Sequence, residues 1–232
     1  MPPGLTSEER ARREGGASKA PPKASGDTVR VTWVMFDYGG VVSHPPTQQD
    51  LALLAGAAGA GVADLLDAYW HWRRAYDLAE LDAAGYWRKI GASLGRGYSD
   101  AEVSELTRLD RAAWLRLQTG TVALIEDLAA AGRPLAMLSN APDELAEAIS
   151  ELPVAAHFGH LIFSCELKSG KPDPECYGRA LARMRARAGE VIFVDDRSEN
   201  VAAAAALGLQ SVQFTSASSA RAAVAERLAA GG

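Results

Sequence analysis

Four short segments, well separated along the chain, carry side chains that could together act on a phosphate group. Asp37 follows the apolar run 31–36, and Ser139–Asn140 and Asp195–Asp196 end two further apolar runs. Lys171 lies in the remaining segment, between a glycine and a proline. A carboxylate at the end of a buried strand is costly unless it binds a metal or reacts. The order of acid, hydroxyl, lysine and acid pair therefore predicts a magnesium site that handles phosphate.

Five apolar runs without polar alternation predict strands buried on both faces, as in a parallel sheet. These runs are 31–36, 135–138, 161–164, 191–194 and 211–214. Helical patterns separate and follow them at 121–131, 142–151, 174–187, 198–207 and 218–229. The sequence therefore predicts an α/β fold with a doubly wound, Rossmann-like parallel sheet. Because right-handed crossovers bring the carboxyl ends of all strands to one edge, we expect the four segments to meet there.

The stretch 46–118 interrupts this alternation and predicts an inserted α-helical cap domain. Its pattern gives four helices, at 48–60, 63–81, 83–94 and 100–117. The insertion begins after the first strand and ends before the next strand and helix of the core, so we expect it to lie above the strand ends. Residues 29–45 and 119–232 would then form the α/β core. We expect the aromatic residues of the cap to form its hydrophobic core rather than a ligand-stacking surface; they include Tyr69, Trp70, Trp72, Tyr76, Trp87 and Trp114.

Charge and composition argue against some classes of binding partner and cellular location. The net charge of −5 gives no reason to expect nucleic acid or an anionic membrane as a partner. No apolar run approaches the ~20 residues of a membrane span, and the amino terminus lacks the apolar middle of a secretory signal.

Cys165 and Cys176 have no metal-type spacing, which favours reduced structural thiols in a cytoplasmic protein. Residues 1–28 are rich in Pro, Gly, Ser and charged residues and predict a disordered tail. The oligomeric state stays open.

The four segments, in this order and with a helical insertion after the first, resemble the motifs of the haloacid dehalogenase superfamily. Most members of that superfamily are phosphatases, and the resemblance covers residues 31–214. It implies that Asp37 is the nucleophile, which forms an aspartyl-phosphate. Ser139 and the backbone N–H of Asn140 would hold the phosphoryl oxygens, and Lys171 would offset their charge. We expect the side chain of Asn140 to cap the following helix.

The resemblance also implies a Mg²⁺ cofactor held by the acidic residues. Asp37, Asp196 and the backbone carbonyl of Gly39 would supply oxygen ligands, whereas Asp195 would act through water or steady Lys171. Asn200 could support the acid pair, cap its own helix or lie exposed to solvent. Retention of Asp195–Asp196 favours this metal-dependent chemistry over the metal-free carbon–halogen chemistry of the dehalogenases that name the superfamily.

The first motif departs from the family at Gly39, where its phosphatases usually carry a second aspartate that protonates the leaving group. Loss of such an acid/base typically costs ~10²–10⁴ in rate. His44 is a possible substitute, and a role as a loop or hinge residue is the alternative. Two hypotheses follow: a magnesium-dependent phosphatase of a small phosphorylated metabolite, and a degenerate fold that serves as a binding or regulatory module. We expect the cap arginines Arg73, Arg74 and Arg88 on solvated helix faces.

Overall fold

The computed structural model describes residues 31–230, so the predicted tail 1–28 lies outside the described residues. Five strands form one parallel sheet in the order β3-β2-β1-β4-β5. They are β1 (Trp33–Phe36), β2 (Leu135–Ser139), β3 (His160–Phe163), β4 (Val191–Asp195) and β5 (Gln210–Gln213). The predicted doubly wound parallel sheet is confirmed, and each strand lies within two residues of its predicted limits.

Four helices fill the insertion between β1 and the next strand, as the predicted helical cap requires. They are α1 (Gln48–Ala58), α2 (Val62–Asp77), α3 (Ala83–Ser93) and α4 (Asp100–Ala113). Thr47 and Ser99 begin α1 and α4 with capping boxes, and Asp82 caps α3. The helices share a hydrophobic core of their own, centred on Leu65, Tyr76, Tyr86, Trp87 and Leu106.

The two chain segments that join the cap to the sheet run side by side. Ser43 pairs with Leu117 in an antiparallel bridge. The His44 N–H donates to the Arg116 carbonyl at 2.8 Å, and the Gln118 N–H donates to the Val42 carbonyl at 2.9 Å. The prediction of a helix as far as residue 117 was wrong, because these residues form the connection instead.

The carboxyl end of α2 rests on the α/β core. The Ser164 hydroxyl donates to the Asp77 carbonyl at 2.6 Å and accepts from the Ala141 N–H at 3.0 Å. The Tyr76 hydroxyl donates to Glu144 at 2.8 Å. The helix ends at Asp77 rather than at the predicted residue 81, because Ala79 adopts a positive φ of 51°.

Six further helices cover the sheet, three of them on one face. They are α5 (Thr119–Ala130), α6 (Asp143–Ser150), α7 (Ser164–Leu167), α8 (Pro174–Met184), α9 (Ser198–Ala206) and α10 (Ala217–Ala230). Val34 and Phe36 of β1 belong to the hydrophobic cluster with α5, α6 and α10, whereas Met35 packs with α8 and α9. This alternation explains the unbroken apolar runs, because each strand is buried on both faces.

Some smaller features differ from the predicted pattern. The short helix α7 and two 3₁₀ turns, Pro153–His157 and Ala188–Glu190, were not predicted. The cysteines Cys165 and Cys176 are both free and buried. Within residues 31–230 no single helix is long and apolar enough to cross a bilayer; α1 and α2 together reach that size and composition, with a bend of 88° between them.

Candidate active site

The carboxyl ends of β1, β2 and β4 and the loop between α7 and α8 surround one cavity of about 400 Å³. Asp37 follows β1, Ser139 ends β2, and Asp196 follows the last residue of β4. The residues that the sequence singled out and that line the cavity are Asp37, Gly39, Ser139, Asn140, Lys171, Asp196 and Asn200. Asp195 lies directly behind them and is fully buried.

Lys171 lies buried between two carboxylates. Its Nζ is 2.6 Å from Asp37 Oδ1 and 2.8 Å from Asp195 Oδ2. Burial lowers the pKa of Lys171, but the attraction of Asp37 and Asp195 outweighs burial and raises that pKa above its usual value. The side chain is therefore a fixed positive charge beside Asp37. The nearby Lys168, in contrast, is exposed.

Two asparagines fix this arrangement. Asn140 Nδ2 donates to the Lys171 carbonyl, and Asn140 Oδ1 accepts from the Lys171 N–H, both at 2.8 Å. The expected helix cap by Asn140 is therefore wrong: Pro142 begins α6 without a side-chain cap, and Asn140 holds the lysine loop instead. Asn200 Nδ2 lies 3.0 Å from both oxygens of Asp195, so of its two predicted roles the structure shows support of the acid pair.

Three carboxylates could hold a metal ion: the oxygens of Asp37, Asp195 and Asp196 lie within 4.8 Å of one another. Asp195 already accepts bonds from Lys171, Asn200 and the Arg197 N–H. Burial raises the pKa of Asp37 to about 8, with Asp195 and Asp196 adding to the rise and Lys171 opposing it. Burial and Asp195 also raise the pKa of Asp196. A divalent cation would relieve this accumulation of negative charge.

Gly40 brings Asp196 close to the loop that follows β1. Its φ is +77°, and a Cβ at this position would lie 2.3 Å from Asp196 Oδ2. Both the backbone conformation and the contact require glycine here. The first motif thus positions Asp37 directly and gives Asp196 the space to approach it.

Trp114 lies beside Gly39 and would be in tight contact with a side chain at that position. A Cβ added to Gly39 would be 3.3 Å from Trp114 Cζ3. The Tyr38 hydroxyl donates to the Trp114 carbonyl at 2.8 Å, which holds the tryptophan over the loop. His44 is exposed and does not line the cavity. The structure therefore does not bring the possible substitute His44 to the reacting centre.

The cap supplies a buried ion pair to the cavity wall. Arg73 lines the cavity and is 6% exposed, so its predicted place on a solvated face is wrong. Its Nε lies 2.7 Å from Asp77 Oδ1, and one of its terminal nitrogens lies 3.4 Å from Asp110 Oδ2. Burial raises the pKa of Asp77 and of Asp110, although Arg73 opposes both shifts. The spacing of Arg73 and Asp77 by four residues is the sequence signal that could have revealed this pair.

The other cap residues divide into core and cavity groups. Arg74 and Arg88 are exposed, as predicted, and pair with Asp173 and Asp100. Tyr69, Tyr76 and Trp87 are buried, as expected for a cap core. That expectation was wrong for Trp70 and Trp114, which line the cavity; Trp70 is 55% exposed.

A family model described as haloacid dehalogenase-like hydrolase matches residues 31–208, and the chain belongs to this family of hydrolases. Sesquiterpene phosphatase astK of Aspergillus oryzae is 26% identical over 141 residues, which are 60% of this chain and 70% of that protein. Phosphorylated carbohydrates phosphatase of Thermotoga maritima is 30% identical over 79 residues, 34% of this chain and 37% of that protein. Bifunctional epoxide hydrolase 2 of Mus musculus is 36% identical over 70 residues, 30% of this chain, so the chain spans only 12% of that relative.

Solved structures confirm the fold. A HAD family enzyme from Bacteroides thetaiotaomicron, in complex with magnesium and inorganic phosphate, has a TM-score of 0.66 at 18% identity and covers 79% of this chain and 93% of that chain. L-2-haloacid dehalogenase from Xanthobacter autotrophicus, with chloropropionic acid covalently bound, has a TM-score of 0.60 at 17% identity and covers 79% and 77%. At these identities the likeness establishes the fold only. The reaction that the protein catalyses has to be inferred from its site residues.

Proposed function

We propose that the protein is a magnesium-dependent phosphatase that hydrolyses a small phosphorylated metabolite through an aspartyl-phosphate at Asp37. The observation that carries this proposal is the buried contact of Asp37 with Lys171 in a cavity that Asp196 also lines. The phosphatase names of two relatives and the magnesium and phosphate in a structural neighbour support it.

The donor set fits Mg²⁺, because every available ligand is an oxygen. Asp37 and Asp196 would hold the ion together with the carbonyl of Gly39, while Asp195 steadies Lys171 through the 2.8 Å contact. When bound, the ion offsets the negative charge of the phosphate and polarises it.

The residues of the core provide a nucleophile and a phosphate cradle. Oδ1 of Asp37 is held by Lys171 and by the Tyr38 N–H, so Oδ2 is the oxygen that attacks phosphorus. The new bond joins Oδ2 to phosphorus as the bond to the substrate alcohol breaks. Ser139, the Asn140 N–H and Lys171 bind the phosphoryl oxygens. Water then attacks the aspartyl-phosphate, which releases inorganic phosphate and restores Asp37.

The proton for the departing alcohol has a source on the cap side. Among residues 31–230, Asp77 is the carboxyl group that lines the cavity outside the four predicted segments. Burial raises its pKa above the usual value although Arg73 opposes this shift, and a raised pKa is the direction that a general acid needs. Arg73 orients the carboxyl group through Oδ1. In this proposal Asp77 gives its proton to the departing alcohol and regains one from the water that attacks the aspartyl-phosphate, which are the proton transfers that Gly39 cannot perform.

The test is phosphate release from alkyl, sugar and acyl phosphates in the presence of Mg²⁺. We expect turnover of at least one class, trapping of beryllofluoride at Asp37, and a loss of at least about 10³-fold in kcat for the isosteric variant Asp37→Asn. The proposal fails if no phosphate ester is hydrolysed or if Asp37→Asn retains turnover. Halide release from 2-haloacids, measured in parallel, would instead assign the protein to the dehalogenases.

A non-catalytic module is the second candidate, and the glycine at position 39 favours it. In that case the protein would bind phosphate without hydrolysing any ester, and Asp37→Asn would leave partner binding intact. Gly39→Asp separates the two functions, because a new acid would raise turnover only in an enzyme. Its Cβ meets Trp114 at 3.3 Å, so Gly39→Ala is the control for the displacement of that ring.

A further inference from the structure

A second cavity of about 200 Å³ adjoins the catalytic cavity, between α1, α2 and α4. Pro45, Trp70 and Trp114 line both cavities. Beyond these shared residues the wall of the second cavity, which we call the side cavity, is largely aliphatic; it includes Pro46, Leu51, Leu54, Leu66 and Ala113.

The charged groups at the edge of the side cavity already have partners. Asp50 accepts from the Thr47 hydroxyl at 2.6 Å and from Arg116 at 3.0 Å. Asp110 accepts from the Tyr69 hydroxyl at 2.7 Å and pairs with Arg73. A ligand group that enters here is therefore offered mainly apolar contact, and a polar group that does not reach Asp50 or Asp110 would lose its water without compensation.

Trp70 marks the boundary between the two cavities. Its side chain is 55% exposed, whereas its neighbour Tyr69 is buried in the cap core. The two rings meet edge to face with centroids 4.9 Å apart, which fixes the orientation of the indole. An oriented, exposed indole beside a nucleophile is a surface that a flat apolar group would cover.

We infer that the side cavity binds the leaving alcohol of the substrate, and that this alcohol carries an aromatic ring or a compact branched hydrocarbon. This inference rests on the proposed phosphatase function. An apolar cavity of ~150 Å³ holds benzene, so the side cavity has room for one ring. A sugar phosphate would place most of its hydroxyl groups against leucine and proline side chains, which offer no hydrogen bonds.

The experiment compares two phosphonates that the enzyme cannot hydrolyse. Calorimetry of the full chain with Mg²⁺ would measure binding of 2-phenylethylphosphonate, which mimics benzyl phosphate, and of ethylphosphonate, which lacks the ring. We expect the phenyl compound to bind about tenfold more tightly or better, because its ring is removed from water.

Leu51→Trp fills the side cavity and should reduce this preference to roughly threefold or less, with ethylphosphonate binding unchanged. Leu53→Trp is the matched control: it lies on the same helix, is 55% exposed and does not line the cavity, so it should keep the preference. If Leu51→Trp does not fold, as judged by circular dichroism, Ala113→Leu provides the same test from α4.

Equal binding of the two phosphonates, or an unchanged preference in both filling variants, would overturn the inference. Turnover of methyl and benzyl phosphate separates this failure from failure of the proposed function. Hydrolysis without preference for the ring overturns only the side-cavity assignment. Preference for the phenyl phosphonate without hydrolysis of any phosphate leaves the side cavity as an apolar ligand site and overturns the phosphatase.

Discussion

The core half and the cap half of the cavity wall are built in different ways. In the core half, Asp37 and Asp195 are held by backbone N–H groups one and two residues further along the chain and by Lys171. In the cap half, Arg73 and Asp77 share α2, but their surroundings come from α4, which supplies Asp110 and leads to Trp114. The core half therefore depends on strand ends, and the cap half on how two helices pack. Variants of the core half should affect every substrate, whereas the loss of Asp77 from the cap half should separate one class of substrate from another.

The largest effect should come from removing the positive charge of the core half. Lys171→Met leaves Asp195 as a buried carboxylate without a cation, and loss of one partner of a buried pair costs about 3–5 kcal/mol of unfolding free energy. Urea denaturation at pH 8 would measure this loss. Lys168→Met, an exposed lysine in the same segment, should change the unfolding free energy by less than about 0.5 kcal/mol. Equal stability of the two variants would contradict the importance of the buried pair.

A change in the cap half should distinguish between leaving groups. Asp77→Asn should slow hydrolysis of alkyl phosphates by about 10²-fold, because their alkoxide must be protonated as it leaves. Acyl phosphates should be affected much less, since their leaving group needs no proton. Steady-state kcat on both ester classes provides the measurement.

The control for Asp77→Asn is Asp110→Asn, which removes the other carboxylate partner of Arg73 but does not line the catalytic cavity. We expect Asp110→Asn to change both ester classes by the same factor. An equal loss on both classes in Asp77→Asn would show that Asp77 only positions Arg73.

The effect of pH on Mg²⁺ binding tests the core half alone, and it is the smallest per step, at about tenfold per pH unit. Burial raises the pKa of Asp37 from 3.8 to about 8 in the metal-free protein, so the folded state holds a proton that the unfolded chain has released. The contribution of Asp37 to the unfolding free energy therefore falls as the pH rises from 3.8, the pKa in the unfolded chain, to about 8, the pKa in the folded protein. Mg²⁺ needs the carboxylate, so its apparent Kd should fall roughly tenfold per pH unit up to pH 8 and then level off.

Calorimetry between pH 6 and pH 9 would measure this dependence, and Asp37→Asn should remove the part that comes from Asp37, leaving only what the titration of Asp196 contributes. A dissociation constant for Mg²⁺ that does not change with pH in the unaltered protein would contradict the raised pKa of Asp37.

The core half could be predicted because each of its residues has a local signature. Asp37, Ser139 and Asp195 end apolar strands, and Lys171 stands between a glycine and a proline. Asn140 was misjudged because its partner, Lys171, is 31 residues away. Arg73 was misjudged for the same kind of reason: its burial depends on Asp110, 37 residues further on, and an arginine on an amphipathic helix is usually solvated. No local sequence pattern predicts that Trp114 lies over Gly39, because this contact depends on where α4 ends.

The single hydroxyl of Ser164 links the two halves mechanically. It holds the last carbonyl of α2 and, at the same time, the N–H of Ala141, the residue directly after Asn140. Lifting α2 away from the sheet would break the first of these bonds and leave the hydroxyl free to donate to the Ala141 carbonyl, which lies 3.5 Å away. In the proposed phosphatase, a movement of the cap would therefore change the hydrogen bonding of the residue that follows Asn140, whose N–H is one of the groups proposed to bind the phosphoryl oxygens.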